Sequence, residues 1–216
     1  MKAFQHFSLG VLRTLLWAGV ALAVAAGSPP TTNSIAEVKP PCCRELPTTR
    51  PSEKSLYQLD SEWTSDVDRR VRLGVLQGRV QVLVMFFTHC EYACPLIIRD
   101  LKRIQSALPP ASRSQVDFLL VSLDPERDTP RVLRAYREKA SLDTDHWTLL
   151  TGRSDDVREL AVLLGVNYRP DARGQFAHSN LITVLNPAGE IAFQQSGLDR
   201  PAGETVAAIA TLLPTP

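Results

Sequence analysis

The stretch Val80–Pro95, VQVLVMFFTHCEYACP, decides the fold because it joins a buried strand to the start of a helix. Val80–Phe87 is apolar at almost every position, which is typical of a central strand covered on both faces. Pro95–Leu108 follows with apolar residues along one face and a proline at its first position, which predicts a helix. The loop between them lies at the carboxyl end of the strand, where open α/β sheets place their ligands.

The alternation of strand and helix continues to the end of the chain. A small N-terminal hairpin is expected around Leu56–Leu59 and Val71–Leu73. Further strands are expected at Phe118–Leu123, Trp147–Leu150, Leu181–Leu185 and Ile191–Gln195, the last two as a hairpin. Further helices are expected from near Pro130, over Asp155–Leu164 with Ser154 as its cap and Gly165 as its stop, and over Ala202–Leu213. This order predicts an α/β fold of thioredoxin-like type, a central mixed sheet flanked by helices.

Composition divides the chain into three segments. Residues 1–27 combine a basic start with the apolar run Thr14–Ala26 and small residues at Ala23–Ala25, so we expect a signal peptide or an uncleaved membrane anchor. Residues 28–51 hold six of the 16 prolines, a composition that favours an extended linker. Residues 52–216 have the length of one domain, about 165 residues.

The overall charge excludes some partners. The chain of 216 residues has 24 Lys and Arg against 23 Asp and Glu, a net charge of +1, which provides no field for a nucleic-acid backbone. The arginines Arg69, Arg70 and Arg72 are interpreted as a solvated hairpin face. Nucleic acid is therefore not an expected partner.

The cysteines carry the chemical signal. Four cysteines are too few for a disulfide scaffold of this length, and two of them, Cys90 and Cys94, are close together at the predicted ligand-binding edge. Cys94, before Pro95, is expected to be the N-cap and to be acidic, because helix N-terminal amides favour a thiolate. Three intervening residues allow either a disulfide, with sulfurs about 2.05 Å apart, or a metal between two thiolates. Two soft thiolates suit Cu(I) or zinc, and a structural disulfide is the alternative.

A third donor depends on strand direction. If Leu181–Leu185 runs antiparallel beside Val80–Phe87, its start lies next to the end of that strand and brings His178 towards the cysteines. If the two strands are parallel, His178 is an ordinary loop residue at the opposite edge. His89 adjoins Cys90 but is expected to face solvent, since neighbouring side chains on extended backbone point apart.

Four motifs, in order, resemble the Sco/SenC family of copper-binding, thioredoxin-fold proteins that help to assemble the copper centre of respiratory cytochrome oxidase. The motifs are Phe87–Cys90 with Cys94–Pro95, Val121–Pro130 (VSLDPERDTP), Trp147–Gly152 (WTLLTG) and His178–Asn180 (HSN). The resemblance covers about residues 55–213. It implies that Cys90, Cys94 and His178 bind copper, as Cu(I), Cu(II) or both.

The resemblance leads to the hypothesis of an exported copper chaperone, periplasmic or held at the outer face of a membrane, which delivers one copper ion to the copper-site subunit of cytochrome oxidase. A thioredoxin-like reductase outside the cytoplasm is the expected second partner, because a disulfide cannot supply thiolate ligands. The alternatives are a thiol-disulfide oxidoreductase with Cys90 and Cys94 as the catalytic redox pair, and a redox or metal sensor. Cys42 and Cys43 lie outside the family pattern and have no assigned role. Asp124–Pro130 is interpreted as a turn and helix cap, with Asp128 or Thr129 capping.

Overall fold

The computed structural model of the protein describes residues 52–170 and 176–214. The predicted export segment, the linker and Cys42 and Cys43 lie outside these residues. The described strands are β1 Trp63–Ser65, β2 Arg70–Val71, β3 Val80–Phe86, β4 Val116–Ser122, β5 Trp147–Thr151, β6 Tyr168–Pro170, β7 Phe176–His178, β8 Leu181–Leu185 and β9 Ile191–Ser196. The described helices are α1 Ala93–Ala107, α2 Pro110–Arg113, α3 Pro130–Lys139, α4 Ser154–Leu164 and α5 Gly203–Leu212.

Seven strands form one mixed sheet in the order β2-β1-β5-β4-β3-β8-β9. Strand β3 runs parallel to β4 on one side and antiparallel to β8 on the other, and all seven of its residues are buried. The prediction of a central strand at Val80–Phe87 is therefore confirmed, one residue shorter than expected. A separate two-stranded sheet pairs β6 with β7.

Helices cover both faces of the sheet. Since alternate residues of β3 point to opposite faces, its side chains pack in two separate clusters. Val82, Val84 and Phe86 join one hydrophobic cluster with residues of α1, α3 and α5. Leu83 and Met85 join a second cluster with residues of α4 and of the described segment that precedes β3. This is the expected α/β sandwich. Within residues 52–170 and 176–214, no helix is both long enough and apolar enough to cross a membrane.

The N-terminal hairpin differs from the prediction. Leu56–Gln58 is a 3₁₀ helix that begins at a Ser55 side-chain cap, and Leu73–Leu76 is a second 3₁₀ turn. Of the two expected strands, only Val71, at the end of β2, lies in a strand. The hairpin pairs β1 with β2 instead, and Asp68 takes a left-handed conformation in its turn. The expected pattern was misleading because Leu56 and Tyr57 are buried from a 3₁₀ turn, whose apolar residues do not follow strand spacing.

Two helix starts were also displaced. Helix α1 begins at Ala93 rather than Pro95, and Ser154 is the first residue of α4 while Arg153 occupies the cap position. The expected stop at Gly165 is confirmed, since this glycine ends α4 with a left-handed φ of 73°. The arginine face is solvated as expected: Arg70 and Arg72 are exposed and pair with Glu62.

Candidate metal centre

The two cysteines lie where β3 ends and α1 begins. Cys94 is the second residue of α1 and is fully buried, and Cys90 lies in the preceding loop, partly exposed. The expectation that Cys94 is the N-cap is wrong, because the helix starts at Ala93, two residues earlier than expected, and Tyr92 takes the N-cap position. The sulfur of Cys90, in contrast, accepts a hydrogen bond from the backbone amide of Cys94, at 3.3 Å. The helix N-terminus therefore faces Cys90.

His178 approaches the cysteines from the other end of the sequence. Strand β8 is antiparallel to β3, with Val84 opposite Ile182, so the start of β8 lies beside the end of β3. His178 ends β7, three residues before β8, and its Nε2 lies 4.0 Å from the sulfur of Cys94. The antiparallel arrangement considered from the sequence is the observed one.

The three side chains converge on one point. Three donor atoms all lie within 4.8 Å of one another: the sulfur of Cys90, the sulfur of Cys94 and one ring nitrogen of His178. This spacing matches two sulfurs and a nitrogen around one ion, because metal bonds of about 2.0 to 2.3 Å separate opposite ligands by up to roughly 4.6 Å. The donor atoms are close enough to bind a metal ion.

The orientation of the His178 ring is set by its surroundings. Its Nδ1 lies 3.0 Å from the backbone carbonyl of Ser179, an oxygen that can only accept a hydrogen bond. In the neutral ring the proton is therefore on Nδ1, and Nε2 keeps the lone pair that a metal requires. Phe87 packs edge-on against the imidazole at 5.7 Å between ring centroids, and Phe176 packs against Phe87 at 5.2 Å.

The two sulfurs have opposite electrostatic environments. The hydrogen bond from the Cys94 side chain, together with those from the His178 side chain and from the backbone of Cys94 and Tyr92, outweighs burial and lowers the pKa of Cys90 to about 3. The same hydrogen bond to Cys90, reinforced by burial, raises the pKa of the Cys94 thiol. The prediction that Cys94 is the acidic cysteine is therefore wrong. Cys90 is the thiolate at neutral pH, and Cys94 holds the proton that the pair shares.

This arrangement supports two kinds of chemistry. Two sulfurs and an imidazole nitrogen are suitable donors for a soft or borderline ion such as Cu(I), Cu(II) or Zn²⁺. Neither cysteine is in a disulfide in this structure, and a thiolate beside a thiol is also the reactive state of a dithiol that exchanges disulfides. The partial exposure of Cys90 leaves the pair accessible to a reaction partner.

Two other histidines are among the described residues, and both lie apart from this cluster. His89 is exposed as expected, with Nδ1 3.1 Å from the hydroxyl of Thr88 and 3.8 Å from the carboxylate of Asp128. His146 lies 3.4 Å from Asp117. The Asp124–Pro130 segment is a turn and cap as expected, with Thr129 as the N-cap of α3. Sequence reasoning did not foresee that the side chain of Asp128 reaches Thr88 in the cysteine loop.

A mixed sheet flanked by helices, with one cysteine in the first turn of a helix, a second in the loop before that helix and a histidine facing both, defines a class of thioredoxin-like domains that bind metals or exchange disulfides. The sequence matches the SCO1/SenC family over residues 50–213, so the chain belongs to this family. The SCO1 protein homolog of Bacillus subtilis is 28% identical over 134 residues, which cover 61% of this chain and 69% of that protein.

Two solved structures show the same fold. A SCO1/SenC family lipoprotein from Bacillus anthracis superposes with a TM-score of 0.65 at 23% identity, covering 76% of this chain and 99% of that one. Bradyrhizobium japonicum ScoI, solved with copper bound, superposes with a TM-score of 0.60 at 23% identity, covering 71% of this chain and 97% of that one. The predicted thioredoxin-like fold is confirmed.

Proposed function

We propose that this protein is an exported copper chaperone that binds one copper ion through Cys90, Cys94 and His178. The observation that carries the proposal is the convergence of two sulfurs and one imidazole nitrogen within 4.8 Å, in a site whose outer sulfur is partly exposed. Membership of the SCO1/SenC family supports copper as the ion, and so does the copper found in the Bradyrhizobium relative.

The cargo is bound and released by ligand exchange. Cys90 offers a thiolate, and Cys94 loses its proton when its sulfur bonds to Cu(I). His178 offers Nε2, because Nδ1 faces the carbonyl of Ser179 and carries the hydrogen of the neutral ring. Three donors leave room for an incoming thiolate or imidazole to join the ion before one of the three departs.

The proposed recipient is the copper-site subunit of respiratory cytochrome oxidase, the role that the family resemblance implies. Delivery would take place outside the cytoplasm, since residues 1–27 have the composition of a signal peptide or membrane anchor. The Bacillus anthracis neighbour is a lipoprotein, which is consistent with this location. In an oxidising compartment a thioredoxin-like reductase would keep Cys90 and Cys94 reduced.

Anaerobic titration of the reduced protein with Cu(I), in competition with a chromophoric chelator, tests the proposal. The titration is made on the parent chain and on a Cys42→Ser/Cys43→Ser variant, which removes the other thiols. We expect one tightly bound ion in the double variant, with release of the Cys94 proton on binding, measured with a pH indicator in weak buffer. Absence of tight binding in the double variant would rule out the proposed site.

The second candidate function is thiol-disulfide exchange by the same two cysteines. The opposite pKa shifts of Cys90 and Cys94 favour it, because they create one nucleophilic thiolate and one protonated thiol in the same pair. Catalytic reduction of a disulfide substrate by the metal-free protein, with turnover in the presence of an external reductant, would support this function. A sensor would bind its partner without turnover.

A further inference from the structure

The most deeply buried carboxylate near the metal centre belongs to Asp128, whose side chain is 0% exposed. Its oxygens accept hydrogen bonds from the hydroxyl of Ser122 at 2.6 Å, from the backbone amide of Thr88 at 3.1 Å and from the hydroxyl of Thr88. A buried carboxylate is costly unless several donors satisfy it. These three contacts offset part of that cost, while burial still raises the pKa of the Asp128 carboxyl.

Helix capping does not account for this side chain. Thr129 is the N-cap of α3, and its own hydroxyl accepts the hydrogen bond from the backbone amide of Val132. The backbone amide of Asp128 is satisfied by the carbonyl of Asp124, at 2.8 Å. The carboxylate of Asp128 therefore does not cap α3, and it accepts hydrogen bonds from Thr88 in the neighbouring loop.

Asp128 ties together the loops that follow two adjacent parallel strands. Phe86 at the end of β3 lies opposite Ser122 at the end of β4, and the amide of Leu123 donates to the carbonyl of Phe86 at 2.7 Å. The pairing of the two strands ends here. The contacts of Asp128 with Thr88 link the loop that follows β3 to the loop that follows β4.

The tied segment leads directly to the outer sulfur ligand. Thr88 precedes Cys90 by two residues, and the amide of Cys90 donates to the carbonyl of Phe87 at 3.3 Å, which closes a tight turn. Fixing Thr88 therefore fixes the turn that carries Cys90. Cys94, in contrast, is held by α1 and its own burial, and His178 by Ser179 and Phe87.

We propose that Asp128 is a positioning residue of the metal centre: its carboxylate, acting through Thr88, holds the sulfur of Cys90 in place relative to Cys94 and His178. This inference rests on the proposed copper function, but it also applies to the metal-free dithiol. An aspartate suits the role because all three of its partners donate hydrogen bonds. An amide at this position directs its own NH₂ group towards one of those donors.

Three single variants in the Cys42→Ser/Cys43→Ser background test the inference. Asp128→Asn keeps the shape of the side chain and weakens its hydrogen bonds with Thr88. Thr88→Val removes the hydroxyl that donates one of those hydrogen bonds. Ser122→Ala is the matched control, because it takes a partner from the same carboxylate and leaves both Thr88 contacts intact. Each variant is compared with its parent for Cu(I) affinity, for the rate of Cys90 alkylation by iodoacetamide in the metal-free protein, and for the free energy of unfolding.

We expect Asp128→Asn and Thr88→Val each to lower Cu(I) affinity about tenfold, the smaller end of the effect of removing an outer-shell partner. In both variants Cys90 should be alkylated faster, and combining the two substitutions should cost less than the sum of their separate effects, since they break the same tie. Ser122→Ala should change affinity and alkylation by less than about twofold, whatever its effect on stability.

A merely structural role predicts a different pattern. If losses of affinity follow the losses of unfolding free energy across all three variants, Ser122→Ala included, the inference is wrong. It is equally wrong if Thr88→Val, which decides the matter should Asp128→Asn not fold, leaves affinity and alkylation unchanged. Absence of copper binding in the parent would contradict the proposed function alone, because the alkylation rates test the position of Cys90 without metal.

Discussion

The Nε2 atom of His178 lies 4.0 Å from the sulfur of Cys94, although 84 residues separate them in the chain. The antiparallel pairing of β8 with β3 brings them together, since it places the start of one strand at the end of the other. Cys94 lies in the first turn of α1, and His178 ends β7 shortly before β8 begins. The third donor, Cys90, lies on a loop and is held by local hydrogen bonds.

Replacing either cysteine should abolish most of the Cu(I) affinity. A serine hydroxyl at position 90 or 94 is a hard, protonated donor in place of a soft thiolate, and the ion keeps only one sulfur. We expect Cys90→Ser and Cys94→Ser each to lose at least about a hundredfold in affinity by chelator competition. Unchanged affinity in Cys94→Ser would mean that Cu(I) binds elsewhere.

Replacing the histidine should separate the two copper oxidation states. Cu(I) is stable with two thiolates, whereas Cu(II) prefers nitrogen donors and more ligands, so His178→Ala should weaken Cu(II) binding more than Cu(I) binding. The thiolate-to-Cu(II) charge-transfer absorption should also shift or disappear. His146→Ala is the matched control, since that imidazole lies beside Asp117 and outside the cluster. Equal retention of both ions in His178→Ala would remove His178 from the site.

The sequence was sufficient for the central strand and for the set of candidate donors. The apolar run Val80–Phe87 leaves few alternatives to a central strand, and the turn residues Asn186–Gly189 predict the hairpin to which β8 belongs, but only the structure shows that β8 runs antiparallel to β3 and so brings His178 to the cysteines. These features are predictable because a strand buried on both faces and a turn each have a characteristic local sequence pattern.

The electrostatics of the cysteine pair could not be read from the sequence. A proline after Cys94 suggested a cap, but the helix begins at Ala93, and its amides therefore point to Cys90. Boundaries of this kind depend on packing and shift by one or two residues from any local pattern. The strands β6 and β7 are three residues each and were missed because so short a segment shows no periodicity.

The pH dependence of the reduced pair follows from its shifted pKa values. Cys90, with a pKa of about 3 against about 8.5 in an unfolded chain, should show thiolate absorbance near 240 nm down to about pH 4, and Cys90→Ser should lose it. A depressed pKa stabilises the folded reduced protein fully above about pH 8.5. That contribution declines steadily as the pH falls towards 3, below which Cys90 is protonated in both states.

The same pair sets the slope of the disulfide potential. Reduction of a Cys90–Cys94 disulfide at neutral pH takes up two electrons and one proton, because Cys90 stays a thiolate while Cys94 becomes a thiol. The midpoint potential should therefore fall by about 30 mV per pH unit between pH 4 and 8, half the value for a dithiol that takes up two protons. A slope near 59 mV would show that Cys90 is protonated in this range.

Stability should depend strongly on one ion pair remote from the metal centre. Arg137 and Asp66 form a buried pair, 9% and 1% exposed, and Arg137 also donates to the carbonyls of Asp143 and Trp147. Arg137→Met leaves the carboxylate of Asp66 buried without its partner and should cost about 3 to 5 kcal/mol of unfolding free energy.

Arg134→Met provides the comparison, because Arg134 lies on the same helix as Arg137 but pairs with the exposed carboxylate of Asp68 and donates to the backbone carbonyl of Asp66. Its loss should cost no more than about 1 kcal/mol. Denaturant unfolding of the reduced protein measures both losses. Similar losses in the two variants would indicate that water reaches the Arg137 pair. Cu(I) stoichiometry should remain one in each.

The last prediction separates copper delivery from disulfide exchange in cells. Exchange requires the two sulfurs but not an imidazole, whereas delivery of copper by this site uses all three donors. In His178→Ala we therefore expect impaired loading of the oxidase copper site, measured by oxidase activity and by its copper absorption, with disulfide reduction by the purified variant largely retained. Either cysteine variant should fail in both assays. Normal loading in His178→Ala, together with failure in Cys90→Ser and Cys94→Ser, would instead make disulfide exchange the function of this site.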